Sequence, residues 1–594
     1  MNENENAQFL PIIDGERLNS AYQTLLKYRA GRANLEKRIV DDQQWYRLRQ
    51  WECLRKKAKE QIEPASAWLF NSIANKHADA MDSMPTASIL PREQGDTELA
   101  RMLSAVIPVI MDECDFESVY SAVMDDKLIS GTGVYGVFWN GHSLGGMGEV
   151  EIRQIEPIDL FWENGITDIQ QSRHLFYVTM RDNDLLEQDY PWLKGKLNAP
   201  AGEAVRYIYD DSVDVSAKSV VVDWYYKKRQ GMRDVLHYCQ FIPGQPQPLF
   251  ATENSEEYRE RGWYDHGLYP FVFDPLFRSK GTPCGFGYVD IGKNTQEYID
   301  RGDQAIMQNM LFNCKPRHFI RNDGSVNEAE YGDVTKDFVH VDGALGQDSI
   351  LPVRTSSLDG IYVTVINNKI DELKETTGNR DVSSGGTTGG ATAASAIAAM
   401  QEAGSKLSRD ANRGSYRAYR KVVLMVIELI RQFYSLPRAF RIMGRNGESE
   451  FVSFSNSLLE SEDALSKPVF DVCVSSVKAS PYSKISQNEL ALQFYNAGFF
   501  DARGAEAALN CIDMMDFDRK EFVRAKIAAN ADRQAELEGM RSLAAKLAAR
   551  CGDVELAQML SRNETENGAR KMNRVKMSRD SRARERAANA ASPT

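Results

Sequence analysis

Paired cysteines are missing from this chain. Its eight cysteines are Cys53, Cys114, Cys239, Cys284, Cys314, Cys473, Cys511 and Cys551, and no two form a CxxC pair. That spacing offers neither a structural zinc site nor a disulfide framework, and it predicts buried thiols in a reducing compartment. Histidine is scarce as well. His77, His142, His174, His237, His266, His318 and His340 are too spread for a local metal pair, and no i, i+4 partner exists. No Ser-His-Asp order or GxSxG elbow is present, which excludes the commonest acyl-transfer signatures. No run of eighteen apolar residues occurs, so a membrane-spanning helix is not expected. The opening MNENENAQFLPIIDGERLN has no basic region followed by an apolar one, so no secretory leader is expected. The Gly/Thr-rich stretch GGTTGGATAAS at 385–395 lacks the Gly-Lys-Ser/Thr that reaches nucleotide phosphates, and its first downstream lysine is Lys406. The preceding INNKIDELKETTGN reads as helix, whereas a phosphate loop follows a strand. These absences argue against an enzyme, a cofactor and a bound metal.

What is present is a long, soluble-looking chain. It has 594 residues and 66.9 kDa, with 42% hydrophobic and 26% charged residues, enough for two to four domains. The net charge of -12 disfavours a protein that clamps duplex DNA by neutralising many phosphates. It suits one past which DNA slides, because an acidic wall repels a polyanion.

Residues 16–60 read as charged helices, with apolar positions such as Leu18, Tyr22 and Leu25 at helical spacing. A second helix is expected over 64–84, opened by Pro64. MPTASILPRE is an extended exit, and 96–130 gives a helix pair. GTGVYGVFWN, EVEIRQIEPIDLFWE, HLFYVTMRD, VRYIYDD, SVVVDWYYKKRQG, VLHYCQFIPG and YPFVFDPLF are strand candidates, so 134–278 reads as α+β with hairpins. A long helix follows to 314, then a strand-and-turn insert over 315–357 and a second helix to 379. After the Gly/Thr loop comes a helix of up to about forty residues, roughly 60 Å if unbroken, with Gly404 and Gly414 as bending points. RAFRIMG and SEFVSFSN suggest a hairpin, FDVCVSSVKAS a strand, and the chain from 483 turns helical. Residues 562–594 hold nine Lys or Arg against four Asp or Glu and read as a mobile basic tail.

Charged clusters are read as solvated faces. Asp125 and Asp126 beside Lys127, and Asp371 and Glu372 near Glu375, fit that description; Asp371 and Glu375 share one helical face. YYKKRQGMR at 225–233 offers two tyrosines among cations. It is read as a hairpin turn, with base stacking as the alternative.

The order helix, small insert, helix, loop, long helix between 289 and 435 resembles the portal, or head-tail connector, proteins of tailed bacteriophages. TGNRDVSSGGTTGGATAASAIAAMQEAGSKLSRDANR resembles the tunnel loop and helix start of one portal branch. SSVKASPYSKISQNELALQFYNAGFFD resembles the segment leading into its crown. The resemblance implies an α+β, multidomain subunit. Its parts are N-terminal helices and wing (1–288), stem helix 1 (289–314), an α/β clip (315–357), stem helix 2 (358–379), a tunnel loop (380–392), a long kinked tunnel helix with wing strands (393–482), a helical crown (483–561) and the tail (562–594). It further implies twelve copies in a ring at one capsid vertex, assembled in the host cytoplasm. Such a ring contacts the major capsid protein, the terminase large subunit and the head-tail adaptor, and passes double-stranded DNA during packaging and ejection. Channel-lining candidates are then Asp359, Asp371, Glu372, Glu375, Arg380, Asp381, Ser383, Ser384, Gly385, Gly386, Thr387 and Thr388. Tail residues Arg570, Lys571, Arg574 and Lys576 are candidates for DNA contact. The competing classes are a shell or scaffold protein, present in many copies per particle, and a packaging ATPase, which ATP turnover would reveal.

Overall fold

The computed structural model describes residues 12–54, 62–197, 217–314 apart from 232, 318–320, 327–333, 338, 340, 350–352, 359–378, 406–443, 449–459 and 468–476, with scattered positions between 488 and 551. The strand candidate VRYIYDD, Arg380 to Thr388, Gly404 and the tail lie outside the described residues. The chain divides into two compact units, Met1–Phe440 with Phe451–Val477, and Arg441–Glu450 with Lys478–Thr594.

The first unit opens with helices α1 (Gly15–Ala30), α2 (Ala33–Tyr46) and α3 (Gln50–Leu54). The Asp14 side chain caps α1 by accepting from the Arg17 N–H, which satisfies a donor the helix start leaves free. Leu18, Ala21, Leu25 and Tyr28 line one face of α1 at helical spacing and are buried. They pack on a five-stranded antiparallel sheet ordered β4 (Leu160–Trp162), β5 (His174–Asp182), β6 (Lys218–Gln230), β7 (Arg233–Phe241), β8 (Phe250–Ala251). The central strand β6 is buried on both faces. Val220, Val222, Trp224 and Tyr226 point to the α1 side, while Val221 meets Leu186 of the short helix α7 (Asn183–Asp189), Leu193 and Ile242 on the other.

A second, three-stranded antiparallel sheet orders β3 (Glu149–Gln154), β2 (Thr132–Asn140) and β9 (Phe271–Pro275). Helices α5 (Thr97–Glu113) and α6 (Phe116–Ile129) precede it, and α6 packs against β2. β1 (Pro85–Pro91) pairs antiparallel with β16 (Phe470–Ser476), so a strand that follows the N-terminal helices shares a ladder with the last strand of the unit. β10 (Phe277–Arg278) pairs with β11 (Gly285–Phe286), and β14 (Arg438–Met443) pairs with β15 (Ser449–Phe454). In the second unit, helical positions include 491–493 and 542–544, and Cys511 is buried against the Ala491 carbonyl.

Three expectations are corrected. Helix α4 spans Trp68–Met81, so Pro64 does not open it. Residues 62–67 stay non-helical because they are held against a later helix: Asp300 Oδ1 accepts from the Ser66 N–H and Oγ at 3.0 and 2.8 Å. The Gln296 side chain then accepts from the Leu69 N–H and serves as the cap for α4. The thiols are not uniformly buried. All eight are free; Cys239, Cys284 and Cys511 are buried, whereas Cys53, Cys314, Cys473 and Cys551 are exposed. Cys473 falls on the outward alternation of β16, opposite to buried Val472. Finally, the run Asp125 to Lys127 is not a solvated face. Lys127 is 0% exposed and Asp126 bonds to Gln154 within the fold.

Candidate channel and subunit-contact site

Helix α8 (Tyr288–Cys314), of 27 residues, runs about 40 Å at 1.5 Å per residue. Helix α10 (Ile361–Thr377) returns beside it. A Cβ on Gly292 would meet Leu373, and one on Gly302 would meet Ile366, so the two helices run antiparallel and in close approach. The short strands β12 (His318–Ile320) and β13 (Ile350–Pro352) pair antiparallel between them, and the four-residue α9 (Glu328–Tyr331) lies within the insert.

The base of this helical hairpin is tied into the body by polar groups. Asp300 Oδ2 accepts from Gln50 at 2.6 Å, and Gln304 donates to the Ile62 carbonyl at 2.6 Å. Beyond Gln304 no residue of α8 is buried, and in α10 only Leu373 and Thr377 are. The far part is apolar as well as exposed. Of 27 exposed large hydrophobic side chains among the described residues, 12 lie between Tyr298 and Val365. Phe312, Phe319, Ile361, Tyr362 and Val365 are among them, each at least 44% exposed. Soluble surfaces rarely concentrate large apolar side chains in this way, and patches of this kind occur where proteins contact other molecules.

The predicted site residues fall on the outer side of this hairpin. Asp359, Asp371, Glu372 and Glu375 are all exposed. Lys369 pairs with Glu372 at 2.6 Å, and Lys374 lies 5.5 Å from the Trp68 ring, so the carboxylates of α10 share their surface with two lysines. An exposed pair of this kind adds little stability.

Helix α11 (Lys406–Phe433) is continuous through Gly414. Gly414 passes directly over a buried ion pair: a Cβ there would meet Lys127 Nζ at 3.3 Å and Asp274 Oδ1 at 3.5 Å. Lys127 donates to both Asp274 oxygens at 2.9 Å, to the Ala411 carbonyl at 3.0 Å and to Ser415 Oγ at 2.8 Å. A second buried lysine, Lys76, donates to the Gly378 carbonyl at 3.3 Å and to Ser408 Oγ at 2.9 Å. Burial depresses its pKa, and Asp79 opposes that shift. Lys76 therefore ties Gly378, after α10, and Ser408, in the first turn of α11, to α4. The sequence reading missed both lysines. Lys127 carried a signal, for it continues the buried helical series Tyr120, Val123, Met124.

The other chemical candidates are spoken for. Tyr225 and Tyr226 are 4% and 6% exposed, and Tyr226 stacks 4.3 Å from Trp224, so neither ring faces a nucleic acid. They do sit in the expected hairpin, where Gln230 opposes Arg233. His237 bonds to Thr252, and His174 accepts from the Trp224 indole at 3.2 Å. Among the described residues no group of three His, Cys, Asp or Glu is placed to hold a metal ion, and no helix is long and apolar enough to cross a membrane.

The family model described as Phage P22-like portal protein matches residues 28–267 and 361–569. The chain belongs to the P22-like portal protein family. No curated protein sequence matches it. Portal proteins are structural, channel-type components of the phage particle and not catalysts, and that general role applies here. The α+β, multidomain architecture agrees with the family. The match leaves 268–360 uncovered, a stretch that includes α8 and the β12–β13 insert.

Proposed function

We propose that the chain is the subunit of a closed ring, twelve-fold in the particle, that forms the DNA channel at one capsid vertex. In this reading α8 and α10 are the stem, the β12–β13 insert is the clip, 380–392 is the tunnel loop, α11 is the tunnel helix, and 483–561 is the crown. The ring serves packaging, retention and ejection of the genome. It docks the terminase large subunit and the head-tail adaptor, and it sits in the major capsid protein shell. The observation that carries the reading is the helical hairpin whose outer part is apolar and unburied within one chain. A closed ring buries such a surface between neighbours through unlike faces on each copy. Asp359, Asp371, Glu372 and Glu375 then serve as the weakly repulsive channel surface, which DNA passes without adhering.

Averaged ring projections and native mass of the purified protein test this. A closed ring with a central channel is expected. A stable monomer or two-fold dimer, both in the purified protein and in assembled particles, overturns it. Many copies per particle would favour a shell or scaffold protein.

A further inference from the structure

A groove of about 490 Å³ runs between Phe273–Arg278 and α11. Arg278, Arg417 and Lys421 line it, and Arg413 is exposed one helical turn before Arg417. Arg413, Arg417 and Lys421 follow one another at i, i+4 and i+8, so they form a cationic row about 12 Å long on one helix face. No hydrogen bond or ion pair engages these four cations among the described residues. The floor is apolar, with Phe273, Pro275 and Phe277; of the two aspartates that line the groove, Asp274 is taken by Lys127 and Asp410 is exposed, so four cations face one exposed carboxylate. Unpaired arginines over an apolar floor suit a protein surface that presents carboxylates.

The chain carries such a surface. A second groove of about 440 Å³ at the start of α6 is lined by Asp115, Glu117, Ser118, Ser121 and Asp125, and no lysine or arginine lines it. Asp115 and Glu117 are exposed. The two grooves face away from each other. Lys127 reaches toward α11, whereas Ser118 stands nine residues earlier, two and a half turns, and so on the opposite side of α6. Unlike, complementary surfaces on opposite sides of one element are what a head-to-tail contact requires.

We propose that the cationic groove beside α11 of one copy receives the acidic edge of α6 of the next copy, so that neighbouring portal subunits are registered by charge. This rests on the ring reading above. Duplex DNA is the other polyanion the cationic row could meet; the net charge of -12 and the matching acidic edge favour the second copy.

The test uses the full chain. Arg413→Glu with Arg417→Glu forms one variant, Glu117→Lys with Ser118→Lys a second, and all four changes together a third. Ring formation is read by native mass over a protein dilution series, and tryptophan-monitored melting reports that each variant is folded. Each two-site variant is expected to raise the concentration for half-assembly by about tenfold or more, and the four-site variant to recover most of that loss. Wild-type rings with unchanged assembly of the Arg413/Arg417 variant overturn this inference and leave the ring reading standing. Failure of the four-site variant to recover also overturns it. Normal rings that lose affinity for a duplex DNA fragment assign the row to DNA instead. A wild-type chain that forms no ring removes both readings.

Discussion

Replacing Lys127 by methionine should be among the most damaging single changes in the first unit. The ammonium makes four contacts between 2.8 and 3.0 Å and is 0% exposed, while its partner Asp274 is 2% exposed. Without it, among the described residues the Asp274 carboxylate keeps only the Ser415 hydroxyl at 2.8 Å, and the Ala411 carbonyl is left with that same hydroxyl at 3.5 Å. Breaking a buried pair from one side costs about 3–5 kcal/mol, because an uncompensated charge remains inside. That is a large share of the roughly 5–15 kcal/mol typical of a folded protein. Asp274→Ala should cost a similar amount by stranding the ammonium. The double variant Lys127→Met/Asp274→Ala should lose at least ~2 kcal/mol less than the sum of the single losses, since no charge is left unpaired. All eight tryptophans lie between Trp45 and Trp263, so their fluorescence during urea unfolding follows the first unit. Additive losses, or a Lys127→Met loss below ~1 kcal/mol, would refute the idea that this buried pair holds α6, β9 and α11 together.

Four further outcomes follow from named residues. Burial, with Asp290 nearby, raises the Asp42 carboxyl to about 7 against the pull of Lys293 and Arg38. Its folded pKa lies above the unfolded value of ~3.9, so this group's favourable contribution is full below about pH 4 and is lost as pH rises through about 7; Asp42→Asn should flatten the stability profile across that window in melts at fixed ionic strength. Gly131 has φ +88°, and a Cβ there would lie 2.2 Å from the Phe286 carbonyl carbon, so Gly131→Ala should cost well over ~1 kcal/mol in the same urea assay. Ile361→Ser with Val365→Ser should lower ring yield by native mass while leaving the tryptophan-monitored melt of the monomer unchanged, because both side chains are more than half exposed in the single chain. A thiol reagent applied to unassembled, folded protein should label Cys53, Cys314, Cys473 and Cys551 quickly and Cys239 and Cys284 only on unfolding.

The legible parts of this fold are those set by local pattern. Period-two alternation located β2, β3, β5, β7 and β16, and helical spacing located α1, α5 and α6. The helix, insert, helix order was visible because α8 and α10 are long and bounded by Gly287 and Gly378. Gly378 sits at φ 69°, the left-handed cap that favours glycine. What failed was decided by partners distant in the chain. Pro64 looks like a helix start, and only Asp300, 234 residues away from Ser66, holds that stretch extended. Nothing local in Pro85–Pro91 names Phe470–Ser476 as its partner. The basic run 225–233 is the hairpin turn it reads as, and only its base-stacking alternative fails, because β6 is central and covered on both faces.

The same limit explains why the exposed carboxylates of α10 were easier to find than the groups that position them. Acidic residues at helical spacing are visible in any sequence, and their exposure here agrees with a solvated face. Their placement depends on Lys76, which lies 302 residues before Gly378 in no recognisable motif. Lys76 binds the end of α10 through the Gly378 carbonyl and the start of α11 through Ser408, and Ser408 in turn donates to Asp79 on α4. Lys127 repeats the arrangement one turn further along α11, at Ala411 and Ser415. Two buried ammonium groups therefore seat α11 on α4, α6 and β9. In the ring proposed above a subunit would gain by this, since registry between copies is only as accurate as the seating of the elements that touch. Buried charge is a costly way to hold helices together compared with apolar packing. Its directional hydrogen bonds fix the axial position of α11, which a smooth apolar face would leave free to slide.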